Sequence, residues 1–311
     1  VRVIVALGGN AVLPRGRRPD AADQIANVNA SIRTLAGLAA EHELIITHGN
    51  GPQVGMLALE SAADPGLSRP YPLDTLVAQT QGMIGYWIQQ ALQNALPGRQ
   101  VITMVTQTLV SAVDPAFEDP VKFVGQVYDR DEAEKLAAEH GWTVKPDGDG
   151  WRRVVPSPVP QRVVETRLLR RMVGEGVVVI CAGGGGVPVI RDEHGRLAGV
   201  EAVVDKDMTA SVLAEALECD VFLILTDVPH VMRDFGTPHQ EEIGHTTPHE
   251  LRALDLPAGS MGPKVEAACR FVEHTGDMAA IGRLDQAAAI LAGEAGTIVT
   301  PNARWPLTST L

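Results

Sequence analysis

VRVIVALGGNA (residues 1–11) decides the fold. Residues 1–7 form an apolar run of strand length that ends in a glycine turn, the pattern of a parallel strand buried on both faces. Ile25, Val28, Ile32, Leu35 and Ala39 then recur at helical spacing, so the chain opens as strand followed by helix. Further strands are expected at 43–47, 101–105, 177–181, 221–225, 278–281 and 297–299, and further helices at 73–96, 206–218, 264–274 and 284–292. Such alternation predicts an α/β fold with a mostly parallel sheet covered by helices, and ligands bind such sheets beyond the carboxyl ends of the strands.

Residues 114–160 break the alternation. They are rich in Pro, Gly, Asp and Trp and carry only a weak strand signal and one short charged helix at 131–140. A structureless loop of that length does not suit a compact domain, so the segment is expected to be a small inserted subdomain or lid. A second boundary is expected near residue 200, after the loop RDEHGRLAG, dividing the chain into 1–200 and 201–311.

With 311 residues, 45% hydrophobic and 21% charged, the chain can bury a sizeable core. Its formal charge of −12 argues against nucleic-acid or anionic-membrane partners, which need positive fields. An anionic ligand must therefore be met locally. Cys181, Cys219 and Cys269 form no CxxC pair and suit reduced thiols, with Cys181 expected in the core. The first residues lack a signal-peptide layout and no run approaches the ~20 apolar residues of a membrane helix. A soluble, cytoplasmic protein is expected.

Three glycine-rich turns follow apolar strands: LGGNA with Gly8, Gly9 and Asn10; THGNGPQVG with Gly49, Asn50 and Gly51; and CAGGGGVP at 181–188. Glycine allows close backbone approach, so that successive N–H groups can surround an anion, especially where a helix begins. Each turn alone reads equally well as a tight strand-to-helix connection, but three at strand ends would converge on one edge. Neither GxGxxG after the first strand nor GxxxxGK[ST] is present, which disfavours nicotinamide enzymes and Walker-type ATPases.

Lys206 in VVDKDMTAS and Lys264 in GSMGPKVEAA both fall in the first turn of an expected helix. A cation there opposes the helix dipole at a cost of roughly 0.3–1 kcal/mol. A bound polyphosphate would explain two of them, whereas one alone reads as an exposed lysine, Lys206 merely pairing with Asp205 or Asp207. Lys122 in EDPVKFVGQVYD reads on its own as a loop lysine. Thr226 and Asp227 end a strongly apolar strand, where Asp can face a nucleotide or cap the next element. His230, His239, His245 and His249 match no zinc spacing and are expected in loops.

Assembled in order, ALGGNA, HGNGPQVG, QGMIGYWIQQAL, VKFVGQVY, VVPSPVP, GGGGVPVI, DKDMTAS, LTDV and GSMGPKVEAA resemble the carbamate kinases of the amino acid kinase superfamily across nearly the whole chain. The resemblance implies an αβα sandwich around a mainly parallel eight-stranded sheet, a homodimer, and a small protruding subdomain. It implies reversible, Mg2+-dependent phosphoryl transfer between carbamoyl phosphate and ADP, yielding ATP and carbamate, in arginine or related catabolism. Gly8, Gly9, Asn10, Gly49, Asn50 and Gly51 would hold carbamate and the transferred phosphoryl group. Lys206 and Lys264 would contact the nucleotide phosphates, Asp207 would orient them, and Lys122 would reach in from the subdomain. Asp227, Val228, Met232, Met261 and Gly262 would line the nucleotide pocket. No dedicated carboxylate cage is visible, so Mg2+ is expected on phosphate oxygens and water. Two stretches depart from the family: Phe123 and Gln126 replace prolines of the usual TKPIGPFY, and Met232 replaces a tyrosine. Another superfamily kinase, such as an acetylglutamate or isopentenyl phosphate kinase, and a non-catalytic nucleotide sensor of the same fold stand as alternatives.

Overall fold

The computed structural model describes residues 1–14, 17–254, 256 and 261–302. Arg2–Leu7 lies at the middle of an eight-stranded sheet, paired in parallel with Glu43–His48 on one side and Val221–Thr226 on the other. Outward from Glu43–His48 come Val178–Ile180 and Val101–Thr103; outward from Val221–Thr226 come Met278–Arg283, Thr297–Val299 and the edge strand His245–Thr246. Within this sheet, among the described residues, only the pairing of Met278–Arg283 with Thr297–Val299 is antiparallel. The strand His245–Thr246 was not legible in the sequence, and His249 falls in the short helix Pro248–Arg252 behind a Thr247 capping box, so these two histidines are not in loops.

The period-2 alternation of the central strands feeds two cores, one on each sheet face. Val3, Val5 and Leu7 pack with Val28, Ile32 and Leu35 of the helix Ala21–Glu41 and with Ile84, Trp87 and Ile88 of Leu73–Ala95. Ile4 and Ala6 pack on the opposite side with Leu213 of Lys206–Ala216, Phe271 of Gly262–Thr275 and Leu169 of Thr166–Gly174. One expected core position differs: Ile25 is exposed and Gln24 is buried instead, its carbonyl accepting from Gln53 at 2.7 Å. The expected helix at 284–292 is a 3-10 turn, Leu284–Gln286, followed by the short helix Ala287–Leu291.

Two smaller sheets fill what read as irregular sequence. Lys122–Tyr128, Thr143–Asp147 and Gly150–Val155 form a three-stranded antiparallel sheet with the helix Arg130–His140, which Asp129 caps at its start and Gly141 at its end. Gln107–Val110, Pro160–Val163, Val187–Arg191 and Leu197–Gly199 form a four-stranded sheet, so RDEHGRLAG is the turn and return strand of a hairpin rather than a loop. The lid sheet is seated on the body by Val124 and Val155, buried with Val54, Leu73, Leu76 and Val203. At that seam Gly55 and Gly125 meet backbone to backbone: a Cβ on Gly55 would lie 2.5 Å from the Gly125 Cα.

Candidate active site

The strand order brings the first two glycine turns side by side. Gly8 donates to the Leu225 carbonyl at 2.8 Å and Gly49 to the Leu7 carbonyl at 3.1 Å, so each turn is pinned to a neighbouring strand end. The 3-10 turn Gly9–Ala11 and the helix Gly51–Ala63 begin there, and the first N–H groups of a helix lack acceptors within it. Asn50, at the N-cap of Gly51–Ala63, does not cap it through its side chain; its amide donates to Thr80 Oγ1 at 2.8 Å instead. The approach is close enough that a Cβ on Gly49 would lie 3.0 Å from the Gly9 nitrogen and 3.4 Å from Cε of Lys206.

The third turn does a different job. Gly183, Gly184 and Gly185 are buried, and the Gly185 carbonyl accepts from Thr108 Oγ1 at 2.7 Å and Thr209 Oγ1 at 3.0 Å. Through that carbonyl it braces the helix Lys206–Ala216 against the strand Gln107–Val110.

Lys206 is the first residue of its helix, and Lys264 the third residue of Gly262–Thr275. Both ammonium groups donate to one carboxylate: Lys206 to Oδ1 of Asp207, and Lys264 to Oδ2 at 2.9 Å. The Asp207 side chain is 3% exposed, those of Lys206 and Lys264 11% and 18%. Burial pushes the Lys206 ammonium down, Asp207 opposing and Lys264 adding to the fall. For Lys264 burial acts the same way but is outweighed by Asp207, with Asp205 and Asp227 helping, so it is raised. Two cations thus share one buried anion at the mouth of the glycine turns, with Asp205 and Asp227 close enough to act on Lys264 as well.

Lys122, first residue of its lid strand, donates to Oδ2 of Asp205 at 2.8 Å. Asp205 is the N-cap of the Lys206 helix, accepting at Oδ1 from the N–H groups of Asp207 at 2.9 Å and Met208 at 3.2 Å. Burial disfavours its charge, yet Lys122, Lys206 and the Met208 N–H outweigh this and hold Asp205 down at about 2.

Asp227 follows the strand Val221–Thr226, and Asn10 donates to its Oδ2 at 2.7 Å. A cavity of about 350 Å³ opens there, lined by Asn10, Ser31, Thr34, Thr226, Asp227 and Arg283 among others. Val228 continues the bend after Asp227, and Met232 sits in the strand Val231–Arg233 opposite Glu242 of Glu241–Ile243. Met261 and Gly262 open the Lys264 helix; Gly259 and Ser260 of the same motif lie outside the described residues.

Sequence reasoning passed over His48 and the dual contacts of Asp205. His48 is buried, its Nδ1 donating to the Gly49 carbonyl at 3.2 Å. Burial, opposed by that hydrogen bond and reinforced by Lys206, lowers it to about 4, so the imidazole is neutral. The N-cap role of Asp205 had a local signal, an Asp immediately before a helix start, but its lid partner 83 residues away had none. Among the described residues no group of three or more His, Cys, Asp or Glu is placed to hold a metal ion, and no helix is long and apolar enough to cross a membrane.

Comparison with known proteins agrees with this architecture. Residues 1–282 match the model of the amino acid kinase family. The carbamate kinase of Rhizobium meliloti (strain 1021) is 48% identical over 303 residues, covering 96% of this chain and 93% of the relative. That of Pyrococcus horikoshii is 46% identical over 312 residues, covering 96% and 99%. The structure of Giardia lamblia carbamate kinase bound to AMP-PNP superposes with a TM-score of 0.89 at 38% identity, covering 96% of this chain and 98% of that one. On these grounds the chain belongs to the amino acid kinase family, among its carbamate kinases.

Proposed function

We propose that this phosphotransferase moves a phosphoryl group between carbamoyl phosphate and ADP, giving ATP and carbamate, which then breaks down to ammonia and carbon dioxide. The observation that carries the proposal is the meeting at Gly49 of the Gly9 backbone and the Lys206 side chain: a Cβ added there would lie 3.0 Å from the Gly9 nitrogen and 3.4 Å from the Lys206 Cε. That meeting sets two helix starts and a cation around a single point, an arrangement made for an anion.

Phosphoryl transfer depends on positioning and charge neutralisation far more than on covalent participation by the protein. In the forward direction a β-phosphate oxygen of ADP bonds to phosphorus as the bond to the carbamate oxygen breaks. That oxygen leaves as an anion, so no general acid is needed, and in reverse no base is needed to activate it. This fits a site in which the imidazole of His48, next to Gly49, is buried and neutral.

In this reading Gly8, Gly9, Asn10, Gly49, Asn50 and Gly51 cradle the carbamoyl end, and Lys122 covers it from the lid. Lys206 and Lys264 draw charge from the transferring group, held apart and aimed by Asp207. Asp227, Val228, Met232, Met261 and Gly262 bound the nucleotide. Residues 1–200 thus carry the carbamoyl site, with the lid at 114–160, and 201–311 the nucleotide site. Mg2+ fits the same site without protein ligands of its own: Asp205 and Asp207 are both engaged by lysines, leaving phosphate oxygens and water to hold the ion. It would supply further neutralisation of the phosphates. A homodimer in the cytoplasm completes the proposal.

The test is ATP formation from ADP and carbamoyl phosphate with Mg2+, corrected for spontaneous decay of carbamoyl phosphate. Rapid formation that stops on chelation is expected. Binding of ADP with no transfer would reject carbamate as the acceptor, and full turnover under chelator would remove Mg2+ from the scheme.

A further inference from the structure

Asp205 belongs to no glycine turn, yet its two oxygens hold two separate parts of the molecule. Oδ1 receives the first free N–H groups of the Lys206–Ala216 helix, while Oδ2 receives Lys122 from the lid at 2.8 Å. The Asp205 side chain is 18% exposed and that of Lys122 37%, so the pair sits where the lid edge meets the site, partly shielded from water.

We infer that Asp205 is a positioning residue that sets where the Lys122 ammonium stands over the carbamoyl site, referencing the lid to the same helix start that carries Lys206 and Asp207. A lysine is a point charge on a flexible four-carbon stem, and ordering it costs rotamer entropy. An ammonium has three N–H donors. One of them spent on Asp205 fixes its location, and the other two remain for phosphoryl oxygens. Without the pair, the lid's lysine would still arrive near the site but spread over many rotamers. Because Asp205 also caps the helix, movement of that helix start and of the lid lysine are coupled through one carboxylate.

The inference rests on the proposed reading of the site, and it is tested by separating the two oxygens. In Asp205→Asn the amide oxygen keeps the cap, since Asn is as good an N-cap as Asp. Its NH2 then faces Lys122, donor against donor. Losing one charge-assisted hydrogen bond is expected to raise KM for carbamoyl phosphate roughly 10-fold while KM for ADP stays within about 2-fold. In a Lys122→Met background, Asp205→Asn is expected to add less than about 2-fold, because the partner it positions is gone. An unchanged carbamoyl phosphate KM in Asp205→Asn, or an equal effect with and without Lys122, would overturn the inference.

A second measurement needs neither turnover nor a folded Asp205 variant. Hydrogen exchange of Lys122→Met should speed up in the lid strand Lys122–Tyr128 and leave the Asp207 and Met208 amides protected. Unchanged exchange in the lid strand would show that the pair does not hold it. Should the wild-type protein make no ATP, the reading of the reaction falls and the exchange result alone decides the inference.

Discussion

Lys264 donates to Asp207 at 2.9 Å across 57 residues of sequence, and the other oxygen of the same carboxylate takes Lys206 from the adjacent position. Two helix starts are thereby tied together at the point where their dipoles favour an anion. The lysines stand against their own helix dipoles, and the shared carboxylate offsets the cost.

Lys206→Ala or Lys264→Ala should therefore lower turnover by at least ~100-fold, the scale seen when one preorganised electrostatic donor is lost. Asp207→Ala leaves two largely buried ammonium groups without their partner, and should both abolish turnover and destabilise the fold by about 3 kcal/mol or more. Initial-rate kinetics and urea unfolding check these. Losses under a few-fold in both lysine variants would remove the lysines from the chemistry.

The Gly55 contact makes the lid's seat a separate target. Gly55→Ala would place its Cβ 2.5 Å from the Gly125 Cα, backbone that has no side-chain rotation with which to yield. The lid strand must lift from the helix Gly51–Ala63, displacing Lys122 three residues along. The expected result is a higher KM for carbamoyl phosphate with ADP affinity, measured by calorimetry, left as in wild type. A selective loss of ADP affinity would place the lid over the wrong ligand.

His48 predicts a pH dependence of stability. The unfolded imidazole binds a proton near 6.5, whereas burial, with Lys206 adding and the Gly49 carbonyl opposing, keeps the folded one neutral down to about 4. The folded pKa is depressed, so its contribution is complete above pH 6.5 and is lost as pH falls from 6.5 toward 4, by up to about 3 kcal/mol. Urea unfolding across that window should show a shallower slope of stability against pH in His48→Gln than in wild type. Equal slopes would mean that His48 is protonated in the folded protein.

The cysteines predict chemical inertness. Cys181, Cys219 and Cys269 are all buried, and burial pushes their thiols up, to about 12 for Cys181 and Cys269 and higher still for Cys219. The thiolate is the reactive form, so an aromatic disulfide reagent should label none of the three in the native protein and all of them in denaturant. Rapid labelling of a native thiol, read by mass spectrometry, would contradict the packing around it.

Much of the fold was legible in residues 1–11 and their echoes. Apolar runs of strand length such as 221–225 read as buried strands, and the spacing of Val28, Ile32 and Leu35 reads as one helix face. Composition alone marked the lid, because Pro, Gly and Asp do not build long helices. The strands Gln107–Val110 and Val187–Arg191 stayed hidden: they are short and mix buried with half-exposed positions, so period and apolarity are both weak.

The sequence by itself determined which elements form, where glycines permit close turns, and that two lysines open helices. What it left open was which of these meet. Arg2–Leu7 stands between Glu43–His48 and Val221–Thr226, and only that order brings the Gly8–Asn10 turn beside both Gly49 and Asp227. The fold of the lid, which no periodicity encodes, likewise carries Lys122 to Asp205 across 83 residues. Propensity and periodicity act over a few residues, whereas strand order and docking are chosen by burial of whole faces. For that reason the parts of the site were readable one by one, and their convergence was decided only by the tertiary structure.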